Sequence, residues 1–292
     1  MTHRLLLDTS SLVYRAFFAL PTSITDGRMA VNAVRGYLDM VARLVDARAP
    51  DEVLHCRDDD WRPAERAAAW PGYKAQRADD PEELPAQFPL LTDVLARFGQ
   101  VQVAAPDWEA DDAIGVLAAS AEAGDVLEIV TGDRDLLQLV RDGDPAVRVL
   151  YTVKGVSELA EFDESAVGER YGVPPQRYVD YAILRGDPSD GLPGVSGVGE
   201  KTARDLVARY PDLAALQADA RALSPKLAQR IAGAGEYFEA MQRVVPVRTD
   251  VPLRIDRGER DDRALDRLAE DHNLEGPVGR LRAALDGTQE PA

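Results

Sequence analysis

Residues 101–140 read VQVAAPDWEADDAIGVLAASAEAGDVLEIVTGDRDLLQLV. Val101–Ala105 and Val126–Val130 are short apolar runs with the length and β-branched content of buried strands. Glu109–Ala123 between them predicts a helix. A strand, a helix and a second strand in succession indicate an α/β domain with a largely parallel sheet. Acidic residues follow both strands: Glu109, Asp111 and Asp112 open the helix, and Asp133 and Asp135 lie in Thr-Gly-Asp-Arg-Asp.

Toward the N-terminus the same alternation continues. Arg4–Asp8 predicts a strand ending in an acid, followed by a helix from about Ser10, a possible cap, to Leu20. A loop at Thr22–Met29 leads to a helix over Val31–Arg48, spaced by Val34, Leu38, Val41 and Val45, and then to a strand at Glu52–Cys56. Residues 57–85 show no apolar periodicity, which marks a functional or disordered segment. A helix then runs from near Glu82 to Phe98. Toward the C-terminus, Asp135–Val140 predicts a short helix and Val147–Tyr151 a strand. From Asp163 to Val247 the pattern is helical with Gly and Pro turns. A charge-dense tail at Asp256–Asp271 and a last helix at Val278–Leu285 complete the chain. Two domains are expected: 1–180, α/β, and 181–292, all helical with a charged tail.

The 292 residues carry 34 Lys+Arg against 51 Asp+Glu, a formal net charge of −17. Residues 101–190 hold 19 acids and 7 bases, so −12 of that charge lies in under a third of the chain. Residues 196–247 hold 7 bases and 6 acids. The acidity is concentrated, and the question is whether it is concentrated at a site. One cysteine, Cys56, excludes a disulfide framework and fits a reducing compartment. No signal peptide or membrane span is legible, so a cytoplasmic, membrane-free protein is expected.

Ligands of open α/β sheets bind outside the carboxyl ends of the strands. Asp8, Asp58, Asp59, Asp133 and Asp135 occupy such ends, and Glu109 and Asp112 share a helix face at i, i+3. Asp187 and Asp190 repeat the three-residue spacing in Gly-Asp-Pro-Ser-Asp-Gly. Any one of these is ordinarily a cap or turn residue. Together they would gather more carboxylates than one pocket tolerates as bare anions, and divalent cations relieve that repulsion. Oxygen-only donors suit Mg²⁺ or Mn²⁺ rather than zinc, and His3, His55 and His272 are too scattered for a zinc site. Paired metals on carboxylates typically hydrolyse phosphodiesters. Arg15, Arg66, Lys74 and Arg77 are candidate phosphate clamps, and Tyr14 and Tyr73 candidate base-stacking groups. Gly194-Val-Ser-Gly-Val-Gly-Glu-Lys-Thr-Ala203 departs from phosphate-loop spacing, and no strand precedes it. As a turn between helices it would bring backbone amides of Gly194, Gly197 and Gly199, with Lys201, Thr202 and Arg204, to a nucleic-acid phosphate.

The stretches LLLDTSSLVYRAFFALP, NAVRGYL, GYKAQR, WEADDAIGVLA, VTGDRDLLQLV and LRGDPSDGLPGVSGVGEKTA, in this order over about 4–210, resemble the bacterial 5′→3′ exonuclease/flap endonuclease family, which includes the nuclease domain at the front of DNA polymerase I. The resemblance implies a PIN-like, mostly parallel sheet flanked by helices, with a C-terminal module containing a helix–turn–helix of helix–hairpin–helix type. It implies two or more Mg²⁺, with Mn²⁺ able to substitute, on Asp8, Glu109, Asp111, Asp112, Asp133, Asp135, Asp187, Asp190 and either Asp58 or Asp59. Arg15, Arg66, Lys74 and Arg77 would meet the substrate, 57–85 would form an arch over a 5′ single strand, and 194–199 would hold a K⁺. The activity implied is removal of 5′ flaps and 5′ nucleotides at nicks and RNA primers, in lagging-strand (Okazaki fragment) processing and repair. The protein would work as a monomer beside a polymerase and ligase.

Four departures from the family pattern bear on this expectation: Thr9 after the first acid, CRDDDWRP before the arch, Glu65 before Arg66, and Gly191 in the Asp187–Asp190 turn. Two alternatives stay in view: a PIN-like ribonuclease, which would share the acidic α/β site, and an inactive junction-binding protein, for which Thr9 and Gly191 are the motive.

Overall fold

The computed structural model describes residues 2–287. Met1 and residues 288–292, the outer ends of the two expected domains, lie outside the described residues. Seven strands form one sheet: β1 (His3–Asp8), β2 (Glu52–Cys56), β3 (Val101–Ala104), β4 (Val126–Thr131), β5 (Ala146–Thr152), β6 (Leu159–Phe162) and β7 (Arg254–Arg257). Their order is β6-β5-β4-β1-β2-β3-β7. The five central strands are parallel, and β6 and β7 run antiparallel at the two edges. The chain winds outward from β1 through β2 and β3, then returns to the other side of β1 for β4 and β5. The strand order therefore reverses between β1 and β4, the place where such sheets open a crevice.

The strands are apolar on both faces because helices cover both. Leu5 and Leu7 of β1 face one layer, with helices Asn32–Arg48, Gln87–Arg97 and Glu275–Gly287. Leu6, one residue out of phase, faces the other layer, with helices Ala110–Ala119, Tyr178–Arg185 and Glu200–Arg209. The second layer continues into the helical module through Phe238 and Met241 of helix Gly235–Val244.

Several details differ from the sequence expectation. The first helix spans Thr9–Ala19 and is capped by Asp8, whose side chain accepts from Ser11 N, rather than by Ser10. The 57–85 segment carries a helix at Ala64–Ala69 and a run of turns through 71–76. The helix expected from Glu82 starts at Gln87. Strands β6 and β7 escaped the reading: each is only four residues long, and β7 is mostly charged. Most consequentially, the charged tail does not belong with the helical module. Residues 254–287 come back as β7 against β3 and as helices Asp262–Asp271 and Glu275–Gly287, which bury Leu265, Val278 and Leu281 in the first layer.

Candidate metal and phosphate site

The carboxyl ends of β1 to β4 deliver their acids to one crevice, a cavity of ≈ 980 Å³. Asp8, Asp58, Glu109, Asp111 and Asp133 line it. A small adjoining cavity shares Glu109, Asp111 and Asp133 and adds Asp135 and Asp190. Asp187 stands near enough to raise the proton affinity of both Asp133 and Asp135.

Local backbone structure aims each of these groups. Asp8 caps the first helix and accepts from Thr131 Oγ1 at 2.7 Å. Asp58 accepts from Ala110 N at 2.7 Å, tying the end of β2 to the helix after β3. Glu109 and Asp112 form a reciprocal capping box at the start of that helix. Asp133 accepts from Asp135 N at 2.8 Å in a tight turn after β4. The acids of the helical module arrive on a hairpin-like turn in which Asp187 and Leu192 bond reciprocally.

Burial is the main cause of raised carboxyl pKa values here, and neighbouring anions add to it. Asp8 is pushed up to about 7, opposed by the Thr131 hydroxyl and reinforced by Asp58 and Asp133. Asp58 and Asp133 are also raised, and Asp111 and Asp135 go well above the carboxylate range. For Lys74, burial disfavours the charge but Glu109 and Asp190 outweigh it, so its pKa also rises.

Three expected ligands line neither cavity: Asp187, which accepts from Ser189 N at 2.9 Å, Asp59 and Asp112. Asp59 accepts from Asp107 N and from Arg254, each at 2.9 Å. Between the alternatives after β2, the fold brings Asp58 to the crevice. Asp112 is fully buried and commits its oxygens to Arg66, Arg248 N and Glu109 N.

The expected cations also divide. Arg15, Lys74 and Arg77 line the large cavity. Arg66 does not; it is 3% exposed and bonds Glu109 and Asp112 from beneath, with its guanidinium 5.5 Å from the Trp108 ring. Tyr73 is buried with its hydroxyl on Glu109, which leaves no ring face open to a base. Tyr14 lines the cavity and donates to Asp80. Lys74 adopts φ +52 and donates its backbone N–H to Asp190 O at 2.9 Å while its ammonium reaches Glu109. Arg77 pairs with Asp190 at 2.7 Å, and Trp70 donates to Gly191 O at 3.0 Å. The 70–77 loop is therefore fastened onto the Asp187–Gly191 turn. Gly191 has φ +72, and a Cβ there would stand 2.1 Å from Gly72 O. Glycine at this departure from the family pattern allows the two loops to touch.

The motif at 194–203 follows the Asp187–Leu192 turn, with Gly194 packed against Arg185 and Gly186, and leads into helix Glu200–Arg209 with Gly199 at the N-cap. Gly194 has φ +67 and donates to the Tyr237 hydroxyl, which in turn donates to Ile183 O. Ser196, Gly197, Gly199 and Lys201 are exposed, and Thr202 and Arg204 are half-buried. Sequence reasoning passed over Trp61 and Phe18, both exposed on the cavity wall: Trp61 is a lone aromatic in a charged stretch, and Phe18 reads with Phe17 as part of an apolar helix.

The donor set is wholly oxygen, recessed and mutually repulsive, which fits hard divalent cations. Among the described residues, no three acidic, His or Cys side chains are grouped closely enough to hold an ion as they stand. Glu109 is instead engaged by Lys74 and Arg66.

Comparison with known proteins agrees with this architecture. Residues 3–172 match the family model for the 5'-3' exonuclease N-terminal resolvase-like domain, and 173–267 the 5'-3' exonuclease C-terminal SAM fold. A 5'-3' exonuclease of Streptomyces coelicolor is 46% identical over 303 residues, 96% of this chain and 99% of its own. One from Mycobacterium tuberculosis is 41% identical over 310 residues, 96% of this chain and 97% of its own. DNA polymerase I of Mycobacterium leprae is 40% identical over 267 residues, 88% of this chain but 29% of the polymerase. Among solved structures, the T5 D15 protein co-crystallised with metal ions aligns with TM-score 0.65 at 16% identity, over 98% of this chain and 100% of that one. Human GEN1 in complex with Holliday junction DNA aligns with TM-score 0.65 at 18% identity, over 98% of this chain and 71% of that one. At these identities the structural likeness is one of fold. On the family models and the near full-length relatives together, this chain belongs to the 5′-3′ exonuclease family.

Proposed function

We propose that the protein hydrolyses DNA phosphodiesters at 5′ ends and 5′-flap junctions with Mg²⁺ as its metal, as a 5′→3′ exonuclease and flap endonuclease. The observation that carries this is one crevice with acids from four strand ends on its floor and Arg15, Lys74 and Arg77 on its walls. Asp8, Asp58, Glu109, Asp111, Asp133, Asp135, Asp187 and Asp190 are the residues that would hold two or more Mg²⁺, with Mn²⁺ as a substitute. Bound there, the ions supply Lewis-acid charge neutralisation and an acidified water. Lys74 and Arg77 present positive charge to the scissile phosphate, and Lys74 moves from Glu109 to a phosphate oxygen as charge builds there. Arg15, lying over Gly132, holds the adjacent phosphate. The exposed amides and Lys201 at 196–201 grip duplex backbone, so recognition follows junction shape rather than sequence. A K⁺ on the 194–199 carbonyls belongs to the same reading, as do primer removal in lagging-strand synthesis, repair, and work beside a polymerase and ligase.

The alternative of an inactive junction binder loses support at the departures that motivated it. Thr9 is buried with its hydroxyl 3.1 Å from the Tyr37 hydroxyl, and Gly191 packs against Gly72. Neither displaces an acid from the crevice. The test is a 5′-labelled flap duplex with the purified protein in Mg²⁺, beside EDTA and Asp133→Ala. Cleavage near the junction, lost in both controls, is expected. Tight binding without cleavage in Mg²⁺ and in Mn²⁺ overturns the reading, and activity on single-stranded RNA alone replaces it with a ribonuclease.

A further inference from the structure

Trp61 is half exposed, at 50%, and lies on the wall of the acidic cavity with Asp58 and Lys74. Its backbone is held on both sides. Asp59 N and Asp60 N both donate to Trp108 O, at 3.0 and 3.1 Å. Arg62 N donates to the Asp60 carboxylate at 2.9 Å, and the Arg62 guanidinium reaches Tyr73 O at 2.6 Å and Pro71 O at 2.8 Å. The indole has no ring partner and no hydrogen bond among the described residues, in contrast to Trp70, which donates to Gly191 O, and Trp108, which lies against Arg66 and Arg248. A large apolar side chain left in water on a fixed base forgoes burial that tryptophan normally gains. A ligand with a flat π-face would supply it.

We propose that Trp61 is a positioning residue that stacks on one nucleobase of the strand being cut, next to the phosphate held by Lys74. This rests on the DNA-hydrolysis reading above and adds a contact that the acids and cations do not provide. Lys74 and Arg77 hold phosphates, which repeat along the strand, so by themselves they do not fix which phosphodiester lies over the acids. A base held against the indole sets that register. Stacking tolerates any base because every base has a π-face, and its loss typically costs roughly ten- to a hundredfold in binding.

The experiment is single-turnover cleavage of a flap duplex in Mg²⁺ by wild-type, Trp61→Ala and Trp61→Phe proteins. Each is run on substrates with a single abasic site stepped through the nucleotides around the scissile bond. One abasic position is expected to slow the wild type about tenfold and to leave Trp61→Ala no slower than it already is, with Trp61→Phe largely restored. Trp61→Ala is also expected to scatter the cut among neighbouring bonds. Binding of the same DNA in Ca²⁺ is expected to quench wild-type tryptophan fluorescence more than that of Trp61→Phe. Additive abasic and Trp61→Ala losses at every position, or a Trp61→Ala protein that cuts at wild-type rate and position, overturn the inference while leaving the nuclease reading intact. A wild type that cuts no DNA removes both.

Discussion

Arg66 and Lys74 hold opposite oxygens of one carboxylate, Glu109: Arg66 takes Oε2 from the protein interior and Lys74 takes Oε1 from the cavity. The two cations thereby acquire different duties. Arg66 is locked among Glu109, Asp112 and Pro246 O, whereas Lys74 has the open cavity on its other side.

Replacing each should separate stability from catalysis. Arg66→Met leaves Asp112 and part of Glu109 buried without a counter-charge and is expected to cost about 3–5 kcal/mol of folding stability, read from urea midpoints. Lys74→Met leaves Glu109 still held by Arg66 and Tyr73, so its stability loss is smaller. Its single-turnover cleavage rate is expected to fall roughly a hundredfold to a thousandfold.

Divalent metal should be visible without any substrate. Mg²⁺ that binds only the folded carboxylate array raises the urea midpoint as its concentration passes the dissociation constant, and EDTA reverses the rise. Asp133→Ala removes an acid common to both cavities, so the Mg²⁺-dependent rise should largely vanish in that variant. An unchanged rise would place the ion elsewhere.

His55 supplies a pH signature away from the crevice. Its ring is buried between the Tyr37 hydroxyl at 2.7 Å and Gln100, and burial lowers its pKa to about 4. The unfolded side chain titrates near 6.5, so between these values the unfolded chain binds the extra proton. The stabilisation from neutral His55 is fully present above the unfolded pKa and is lost as pH falls toward the folded one. His55→Gln should therefore be less stable than wild type at pH 7, and the gap should close by about 2 kcal/mol at pH 5. Comparing the two proteins at each pH cancels the contribution of the carboxylates common to both.

Gly191→Asn restores the residue usual in the family but puts a Cβ against Gly72 O. Asparagine tolerates the left-handed backbone, so the clash rather than φ decides the outcome. We expect a loss of about 1–3 kcal/mol in stability and a slower cut, as Lys74 is displaced with the 70–77 loop.

Most of the acidic floor was legible because strand ends announce themselves. Asp8 and Asp133 follow apolar runs, and topology then brings them together. The fate of Asp58 and Asp59 was not legible, since adjacent residues point oppositely and only the contacts with Ala110 N and Arg254 decide between them. Arg66 and Lys74 look alike in a charged loop and both end up buried; what separates them is that Arg66 lies against Trp108 and Pro246 O, distant in sequence, whereas Lys74 lines the cavity. Strand β7 was hidden because its residues Arg254–Arg257 are exposed and mostly charged; it is an edge strand defined by pairing rather than by apolar pattern.

The bond from Lys74 N to Asp190 O joins the loop carrying two of the cavity cations to the turn carrying Asp187 and Asp190. Arg77 and Gln76 reinforce that join. A displacement of that loop would therefore be shared by Asp187 and Asp190, as a single lever moves both jaws of a vice. On the proposed function, the seating of a DNA end on the loop and the placing of those two acids would then be one mechanical event.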